Sequence, residues 1–161
     1  MRFDVITLFP EIFSAITDYG ISARAMKRGL WNVHYWNPRD VTTDVHRTVD
    51  DRPFGGGPGM VMMAEPLAKT LDYIRASGND GPVIAFSPTG ERLTDAYVRT
   101  FSGNPSGSVV LICGRYEGID ERFLEEYVDH TALHAPRSVA RKTRARRAAF
   151  GASRQHREVD P

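Results

Sequence analysis

Apolar runs that lack polar alternation recur along the chain and are typical of strands buried on both faces. These runs occupy residues 2–9, 82–87 and 108–114, and an alternating stretch at 31–36 predicts one further strand. Amphipathic segments separate the runs. Strands that alternate with helices in this way predict an α/β fold whose parallel sheet is covered on both faces.

The predicted helices follow from apolar residues that recur at helical spacing. The clearest is 65–77, where Leu67, Leu71 and Ile74 form one apolar stripe before Gly78. A helix at 11–20 is predicted to end at Gly20, and the next, at 22–29, to be capped by Ser22. Two more helices are predicted at 93–102, with Thr94 as its cap, and at 119–129.

Three loops are candidates for a functional site. Glycine-bearing loops follow the strands at 82–87 and 108–114, and the longest loop, 37–59, contains four glycines and three prolines. Ligands of open α/β sheets bind outside the carboxyl ends of the strands. We therefore expect the two strand-following loops, together with 49–60, to form the site.

The stretch VDDRPFGGGPGM at 49–60 combines two acids, an arginine and four glycines. It is either an unstructured surface loop or a loop whose backbone approaches a ligand closely. It lacks the Gly-Lys-Ser/Thr ending of a phosphate-binding loop and the helix offset of a dinucleotide fingerprint. The candidate residues for substrate contact in this loop are Gly55, Gly56, Gly57, Pro58 and Gly59.

The stretch GRYEG at 114–118 places a cation, an aromatic ring and a carboxylate directly after a buried strand. Arg115 and Glu117 are either functional or a surface ion pair worth under about 1 kcal/mol. The five histidines are scattered without metal-ligand spacing, so no metal site is predicted. His46 is interpreted as an ordinary loop residue.

The charge distribution, the single cysteine and the lack of long apolar runs limit the kinds of protein that this chain can be. The net charge is +1, but residues 130–161 carry eight Arg and Lys against two acids, which leaves residues 1–129 with a net charge of −5. The single cysteine, Cys113, excludes an intrachain disulfide, is interpreted as a buried strand thiol and favours a reducing cytoplasm. No apolar run approaches the roughly 20 residues of a membrane span, and no leader pattern is visible at the N-terminus.

Five motifs together resemble the bacterial tRNA (guanine-N1)-methyltransferase family, usually called TrmD. They are LFPEIF (8–13), ITDYGISARA (16–25), HRTVDDRPFGGGPGMVMM (46–63), SPTGERL (87–93) and ICGRYEGIDERF (112–123). The resemblance covers residues 1–129 in continuous order. It implies a SPOUT-type α/β methyltransferase domain with a deep trefoil knot, S-adenosylmethionine as cofactor, and a homodimer. The implied reaction methylates N1 of the tRNA guanosine immediately 3′ of the anticodon.

The resemblance also implies roles for individual residues. Two loops would line the cofactor pocket, through Phe86, Ser87 and Pro88 and through Gly114, Tyr116, Glu117 and Gly118. The 50–59 loop would lie near the target base. Asp50 and Glu117 are the nearby carboxylates for the N1 proton, although the family assigns that role to neither. Arg52 or Arg115 would stabilise charge on the guanine oxygen.

After Asp129 the chain departs from the family pattern. We expect no matching apolar strand, no second glycine loop, no C-terminal domain and no counterpart of the family's general-base aspartate in residues 130–161, so the second half of the knot is missing. This basic tail is either an arm that binds tRNA phosphates or a non-native or truncated end. The sequence thus predicts a methyltransferase that is inactive or nearly so. The alternatives are a non-catalytic cofactor-binding or dimerising fragment and a basic RNA-binding module.

Overall fold

One five-stranded parallel sheet organises residues 1–133, the part of the chain that the computed structural model describes. The strands in chain order are β1 (Arg2–Ile6), β2 (Asn32–Trp36), β3 (Asp50–Asp51), β4 (Val61–Met62), β5 (Val83–Arg92), β6 (Ser108–Ile112) and β7 (His130–Leu133). The sheet order is β2-β1-β6-β5-β7, and β3 and β4 form a separate antiparallel pair. Residues 134–161, the greater part of the predicted basic tail, lie outside the described residues, and so does the prediction that the second half of the knot is missing.

Five helices connect these strands. They are α1 (Ser14–Thr17), α2 (Gly20–Lys27), α3 (Ala64–Ala76), α4 (Asp95–Ser102) and α5 (Glu121–Tyr127), and two 3-10 turns occupy Pro10–Phe13 and Pro38–Val41. The stripe predicted on α3 is confirmed, because Leu67, Leu71 and Ile74 are all buried. The Thr94 cap is confirmed as well, since its hydroxyl accepts the Tyr97 N–H at 3.2 Å.

The helices cover both faces of the sheet, as the apolar strands predict. On one face α3 and α5 pack on β1, β5 and β6, with Ile6, Ile112 and Phe123 fully buried. On the other face α4 packs through Tyr97 and Phe101 on β5 and β6. The α/β fold with a parallel sheet is therefore confirmed.

The start of α2 differs from the sequence prediction. Gly20 does not end a helix; it is the first residue of α2 and adopts φ +71°, after an extended Tyr19. Because α2 begins two residues early, Ser22 lies inside it and cannot cap it. Its hydroxyl instead donates a 2.6 Å hydrogen bond to the Ile16 carbonyl in α1, which ties the two helices together.

Strand β7 forms in a stretch for which the sequence predicts no strand. It lies parallel to β5, and Ala132 is the register partner of both Phe86 and Glu91. Residues 87–90 therefore leave the ladder as an excursion, after which β5 continues to Arg92 instead of ending at 87. A Cβ on Gly90 would lie 2.6 Å from the Ala132 carbonyl carbon, so only glycine allows β7 to approach.

The buried carboxylate of Asp4 connects β1 to neighbouring segments by hydrogen bonds. Asp4 is fully buried and accepts hydrogen bonds from Arg2 Nε at 2.6 Å, Trp36 Nε1 at 2.7 Å and Asn79 Nδ2 at 2.6 Å. Burial acts to raise the pKa of Asp4, but the hydrogen bonds from Arg2, Asn79 and Trp36 outweigh it and hold the pKa below its ordinary value. The cluster joins β1, β2 and the α3–β5 connection.

Candidate active site at the carboxyl ends of the strands

The loop between β6 and α5 is held along β4 by a row of backbone hydrogen bonds. Glu117 N–H donates to Met60 O, Met62 N–H to Gly118 O, and Asp120 N–H to Met62 O, each at 2.9 Å. Met62 and Ile119 form a parallel bridge in the same row. The hairpin that joins β3 to β4, residues 52–60, is thereby docked at its carboxyl end on the β6–α5 loop.

Gly59 shows why this hairpin needs glycine. It adopts φ +86°, and a Cβ at this position would lie 2.3 Å from Glu117 Cγ. Any side chain at residue 59 would therefore collide with Glu117 in addition to straining the backbone. The close approach that the glycine-rich sequence indicates is seen here between two segments of the protein itself.

The tip of the hairpin is a hydrogen-bonded turn. Gly56 N–H donates to Pro53 O at 3.0 Å, and Gly55, the third residue of the turn, adopts φ +89°. Positive φ at that position is the requirement of a type II turn and favours glycine. Gly56 and Gly57 are also left-handed. The interpretation as an unstructured loop is wrong, because both the tip and the base of the hairpin are hydrogen-bonded.

Tyr116 stands at the centre of a polar cluster. It adopts φ +59°, a left-handed conformation that costs a non-glycine residue about 1–2 kcal/mol. Its hydroxyl accepts a 3.3 Å hydrogen bond from Arg39 Nη2. Burial and, after it, the hydrogen bond and charge of Asp50 raise the pKa of Tyr116, which Arg39 partly offsets. The structure therefore brings together Asp50, Tyr116 and Arg39 from three separate segments.

Arg39 is a residue that the sequence prediction missed. Its Nη1 donates to Arg47 O at 3.0 Å, and Arg47 Nε donates back to Arg39 O at 3.0 Å. Arg47 also forms an ion pair with Asp40. These bonds order the first half of the long loop at 37–59. The only sequence signal for Arg39 is its position, with other arginines, in the 37–59 loop, part of which is predicted to belong to the site.

Arg115 lies over an aromatic ring. Its guanidinium carbon is 4.8 Å from the ring centroid of Phe9, a cation–π contact. Phe9, Gly114, Arg115 and Tyr116 line a cleft of about 480 Å³. The sequence prediction did not include Phe9, because a residue at the end of a strand gives no signal of which loop it will face.

The other predicted cofactor loop lies at the same edge of the sheet. Strands β5 and β6 are neighbours and pair through Ala85 and Ile112, so the loops that follow them leave side by side. Phe86 is half-buried in the core, and Pro88 is exposed. The Ser87 hydroxyl accepts the Thr89 N–H at 3.3 Å. The 87–90 excursion thus has its own internal hydrogen bond.

A profile described as tRNA (guanine-1)-methyltransferase TrmD matches residues 1–134 of the chain. The chain belongs to this family. Over 130 residues it is 55% identical to the tRNA (guanine-N(1)-)-methyltransferase of Idiomarina loihiensis and 59% identical to that of Pseudomonas putida KT2440. Each match covers 80% of this chain and 51% of the relative. The chain thus spans about half the length of the curated relatives it matches.

A solved TrmD-family structure shares the fold. The crystal structure of tRNA (m1G37) methyltransferase from Aquifex aeolicus superimposes with a TM-score of 0.73 at 37% identity. The match covers 81% of this chain and 58% of that one. All the predicted site residues lie inside the segment that the TrmD profile matches.

Within this TrmD-family domain, two of the three predicted catalytic residues lie in one region and the third does not. Asp50 and Glu117 lie beside Tyr116 and Gly59 respectively, so the hairpin and the β6–α5 loop bring both carboxylates to one region. Arg52 is exposed at the start of the hairpin, where its N–H donates to the Asp51 carboxylate at 2.7 Å. The described contacts do not join it to the Tyr116 cluster.

Among residues 1–133, no group of three His, Cys, Asp or Glu side chains is arranged to hold a metal ion. His46 is an exposed loop residue whose N–H donates to the Asp44 carboxylate at 3.1 Å. Over the same residues, no helix is long and apolar enough to span a bilayer.

Proposed function

We propose that this protein is a tRNA (guanine-N1)-methyltransferase that uses S-adenosylmethionine to methylate the guanosine immediately 3′ of the anticodon. The observation that carries the proposal is the docking of the glycine hairpin on the β6–α5 loop, through Gly59 and Glu117. This docking occurs in a segment that is more than half identical to tRNA (guanine-N(1)-)-methyltransferases. It gathers carboxylates, guanidinium groups and aromatic rings at the strand ends where α/β proteins bind ligands.

The residues of this region suit S-adenosylmethionine. A sulfonium cation is favoured by aromatic faces and by nearby carboxylates, which Tyr116 and Glu117 provide. The cleft beside Gly114 and Tyr116 has a volume of about 480 Å³, in the range of small-molecule sites. We assign cofactor contact to Phe86, Ser87 and Pro88 on one loop and to Gly114, Tyr116, Glu117 and Gly118 on the other. When bound, the cofactor supplies an electrophilic methyl group.

The chain's own residues then have three tasks. The hairpin with Gly55, Gly56, Gly57, Pro58 and Gly59 admits the target base close to the backbone, because Gly55 and Gly56 have open space where a side chain would project. Arg52 or Arg115 stabilises the charge that develops on the guanine oxygen. Asp50 and Glu117 are the carboxylates available to accept the N1 proton, a step whose loss typically costs about 10²–10⁴-fold in rate.

Methyl transfer and cofactor binding together test this function. Labelled S-adenosylmethionine is incubated with an unmodified tRNA and with the same tRNA carrying adenosine immediately 3′ of the anticodon. A full-length relative is run in parallel, and only the guanosine substrate should be methylated. In calorimetry, Glu117→Ala should weaken cofactor binding by about tenfold or more if the carboxylate faces the cation. A chain that binds neither cofactor nor tRNA would refute the assignment.

We further propose that a polypeptide of these 161 residues turns over much more slowly than a full-length relative. The family match ends at residue 134, and residues 135–161 are not part of it. The alternative role is a non-catalytic fragment that binds cofactor or dimerises. Turnover within tenfold of the full-length relative on the same tRNA would contradict this proposal.

A homodimer is the assembly that we propose. The α1–α2 region exposes Ile12, Ile16, Tyr19 and Ile21, and Ile21 retains 84% of its accessible surface. Several exposed large apolar side chains within ten residues of chain suit a surface that a second copy covers. Ile16→Asp and Ile21→Asp should each shift the chain to a monomer in sedimentation, and a wild-type monomer at high concentration would refute the proposal.

The basic tail and the cellular location complete the proposal. We infer that the excess of Arg and Lys in 130–161 strengthens tRNA binding through phosphate contacts, and that the protein works in the cytoplasm. Replacing Arg144, Arg146 and Arg147 by Gln should reduce the dependence of tRNA affinity on salt concentration. If these replacements instead abolish RNA binding, the alternative of an RNA-binding module that uses the tail alone is favoured.

A further inference from the structure

Phe54 is fully exposed, more so than any other large apolar side chain among residues 1–133. It occupies the second position of the hydrogen-bonded turn that Pro53 and Gly56 close at 3.0 Å. A residue at this corner projects away from both strands of the hairpin, and no residue among 1–133 covers it. An exposed aromatic ring gives up the burial that such side chains usually obtain.

Two left-handed glycines follow Phe54 in the turn and leave the space around its ring open. Gly55 and Gly56 follow it with φ of +89° and +81°, and a Cβ on either would meet no atom within 4 Å. Both faces of the ring are therefore free of side chains from the residues that follow. At its other end the hairpin is fixed by the contact of Gly59 with Glu117. The ring is presented on a structured arm that starts and ends at the candidate site.

The other very exposed apolar side chains are different in kind. Val45 retains 94% of its surface and Ile21 retains 84%, but both are aliphatic and have no flat face. Phe54 is more exposed than any other aromatic side chain among residues 1–133, Tyr19 at 70% included, and the cationic Arg52 is exposed two residues before it on the same hairpin. An open aromatic face beside a guanidinium group suits a nucleobase with its phosphate.

We propose that Phe54 stacks on an unpaired nucleobase of the bound RNA loop and so orients that loop relative to the Asp50 and Glu117 carboxylates. The inference rests on the proposed function, in which tRNA is the substrate. A single-stranded loop is the RNA element whose bases can be turned out onto a protein ring, because bases in a duplex are already stacked. Phe54 is a positioning residue and takes no part in the transfer step.

Binding of a fluorescently labelled tRNA anticodon stem–loop to the full 161-residue chain tests the inference. The variants are Phe54→Ala, Phe54→Leu and Phe54→Trp, with Val45→Ala as the matched control that also removes an exposed apolar group. Loss of one stacked base weakens binding by about five- to hundredfold, so Phe54→Ala and Phe54→Leu should bind that much less tightly. Phe54→Trp should bind within about twofold of wild type, as should Val45→Ala.

Fluorescence quenching of a base analogue in the RNA loop is a second measurement, and it reports directly on stacking between that base and the ring at residue 54. A stem–loop with 2-aminopurine in the loop should lose fluorescence on binding wild type and Phe54→Trp, but much less on binding Phe54→Leu. Equal affinity and equal quenching for Phe54→Leu and wild type would overturn the inference while leaving tRNA binding intact. A change in sedimentation with unchanged RNA affinity would also overturn it and make Phe54 a contact between chains. If wild type binds no RNA, the proposed function fails and the inference fails with it.

Discussion

Gly59 and Glu117 are packed so closely that a Cβ on Gly59 would lie 2.3 Å from Glu117 Cγ. This contact packs the glycine hairpin against the β6–α5 loop and constrains the Glu117 side chain. The Glu117 N–H is fixed at the same time by its 2.9 Å hydrogen bond to Met60 O. The position of this carboxylate therefore depends on the absence of a side chain 58 residues earlier in the chain.

Gly59→Ala should both destabilise the domain and displace Glu117. Its left-handed backbone costs alanine about 1–2 kcal/mol, and the new methyl group additionally pushes the Glu117 side chain away. Gly55→Ala is the matched control, since Gly55 is also left-handed at φ +89° but has open space around its Cβ position. Urea unfolding should show a loss for both variants and a larger one for Gly59→Ala, whereas cofactor calorimetry should show a loss of affinity only for Gly59→Ala. Equal cofactor affinity in the two variants would contradict a role for the contact in placing Glu117.

The Tyr116 hydroxyl should respond in opposite directions to changes at its two neighbours. Burial and the Asp50 carboxylate raise the pKa of Tyr116, while the Arg39 guanidinium lowers it. Asp50→Asn removes a negative charge and should lower this pKa, and Arg39→Ala should raise it. Ultraviolet titration of tyrosinate checks this, with Tyr116→Phe identifying the component that belongs to Tyr116. A component that moves in neither variant would show that the cluster does not persist in solution.

Asp4→Ala should cost far more stability than the loss of an exposed ion pair. The substitution leaves the Trp36 N–H without its acceptor and the buried Asn79 amide with only the 3.3 Å bond to Val109 O, and we expect a loss of about 2–4 kcal/mol in urea unfolding. The control is Asp95→Ala, which removes an exposed pair with Arg99 and should cost less than about 1 kcal/mol. Similar losses in the two variants would indicate that the Asp4 cluster is solvated.

Asp4 should also contribute to acid unfolding. Because its folded-state pKa lies below the ordinary value of 3.8, its stabilisation is present above that value and is lost as the pH falls through the folded-state pKa. The free energy of unfolding of Asp4→Asn should therefore decline less steeply than that of wild type below about pH 4. His34 Nδ1 lies 3.6 Å from the same carboxylate, so His34→Gln is measured alongside. Parallel curves for wild type and Asp4→Asn would assign the acid sensitivity to other carboxyl groups.

Much of the fold could be predicted from the sequence, and the predictions that failed did so for physical reasons. The stripe of Leu67, Leu71 and Ile74 and the cap at Thr94 are local signals, and both predictions were right. The interpretation of Cys113 as a buried strand thiol was wrong in two respects, because the residue lies directly after β6 and is only half-buried, although burial still raises the pKa of its thiol. The prediction failed at Gly20, where a left-handed glycine starts a helix instead of ending one, because both positions favour the same residue.

Strand β7 was missed for a related reason. Its four residues have no apolar alternation of their own, and they become a strand because β5 offers a free edge next to the glycine at residue 90. Strand pairing is a property of two segments, and one of them alone does not reveal it.

The sequence by itself determined the α/β class, the order of the main strands and helices, the family, and the edge of the sheet where the candidate loops meet. Periodicity and glycine placement encode these features within short windows. Only the tertiary structure decided that Gly59 faces Glu117 and that Arg39 donates to Tyr116 across 77 residues of chain. Such contacts depend on the packing of distant segments, in which hydrogen bonds and steric exclusion select partners that no local pattern specifies.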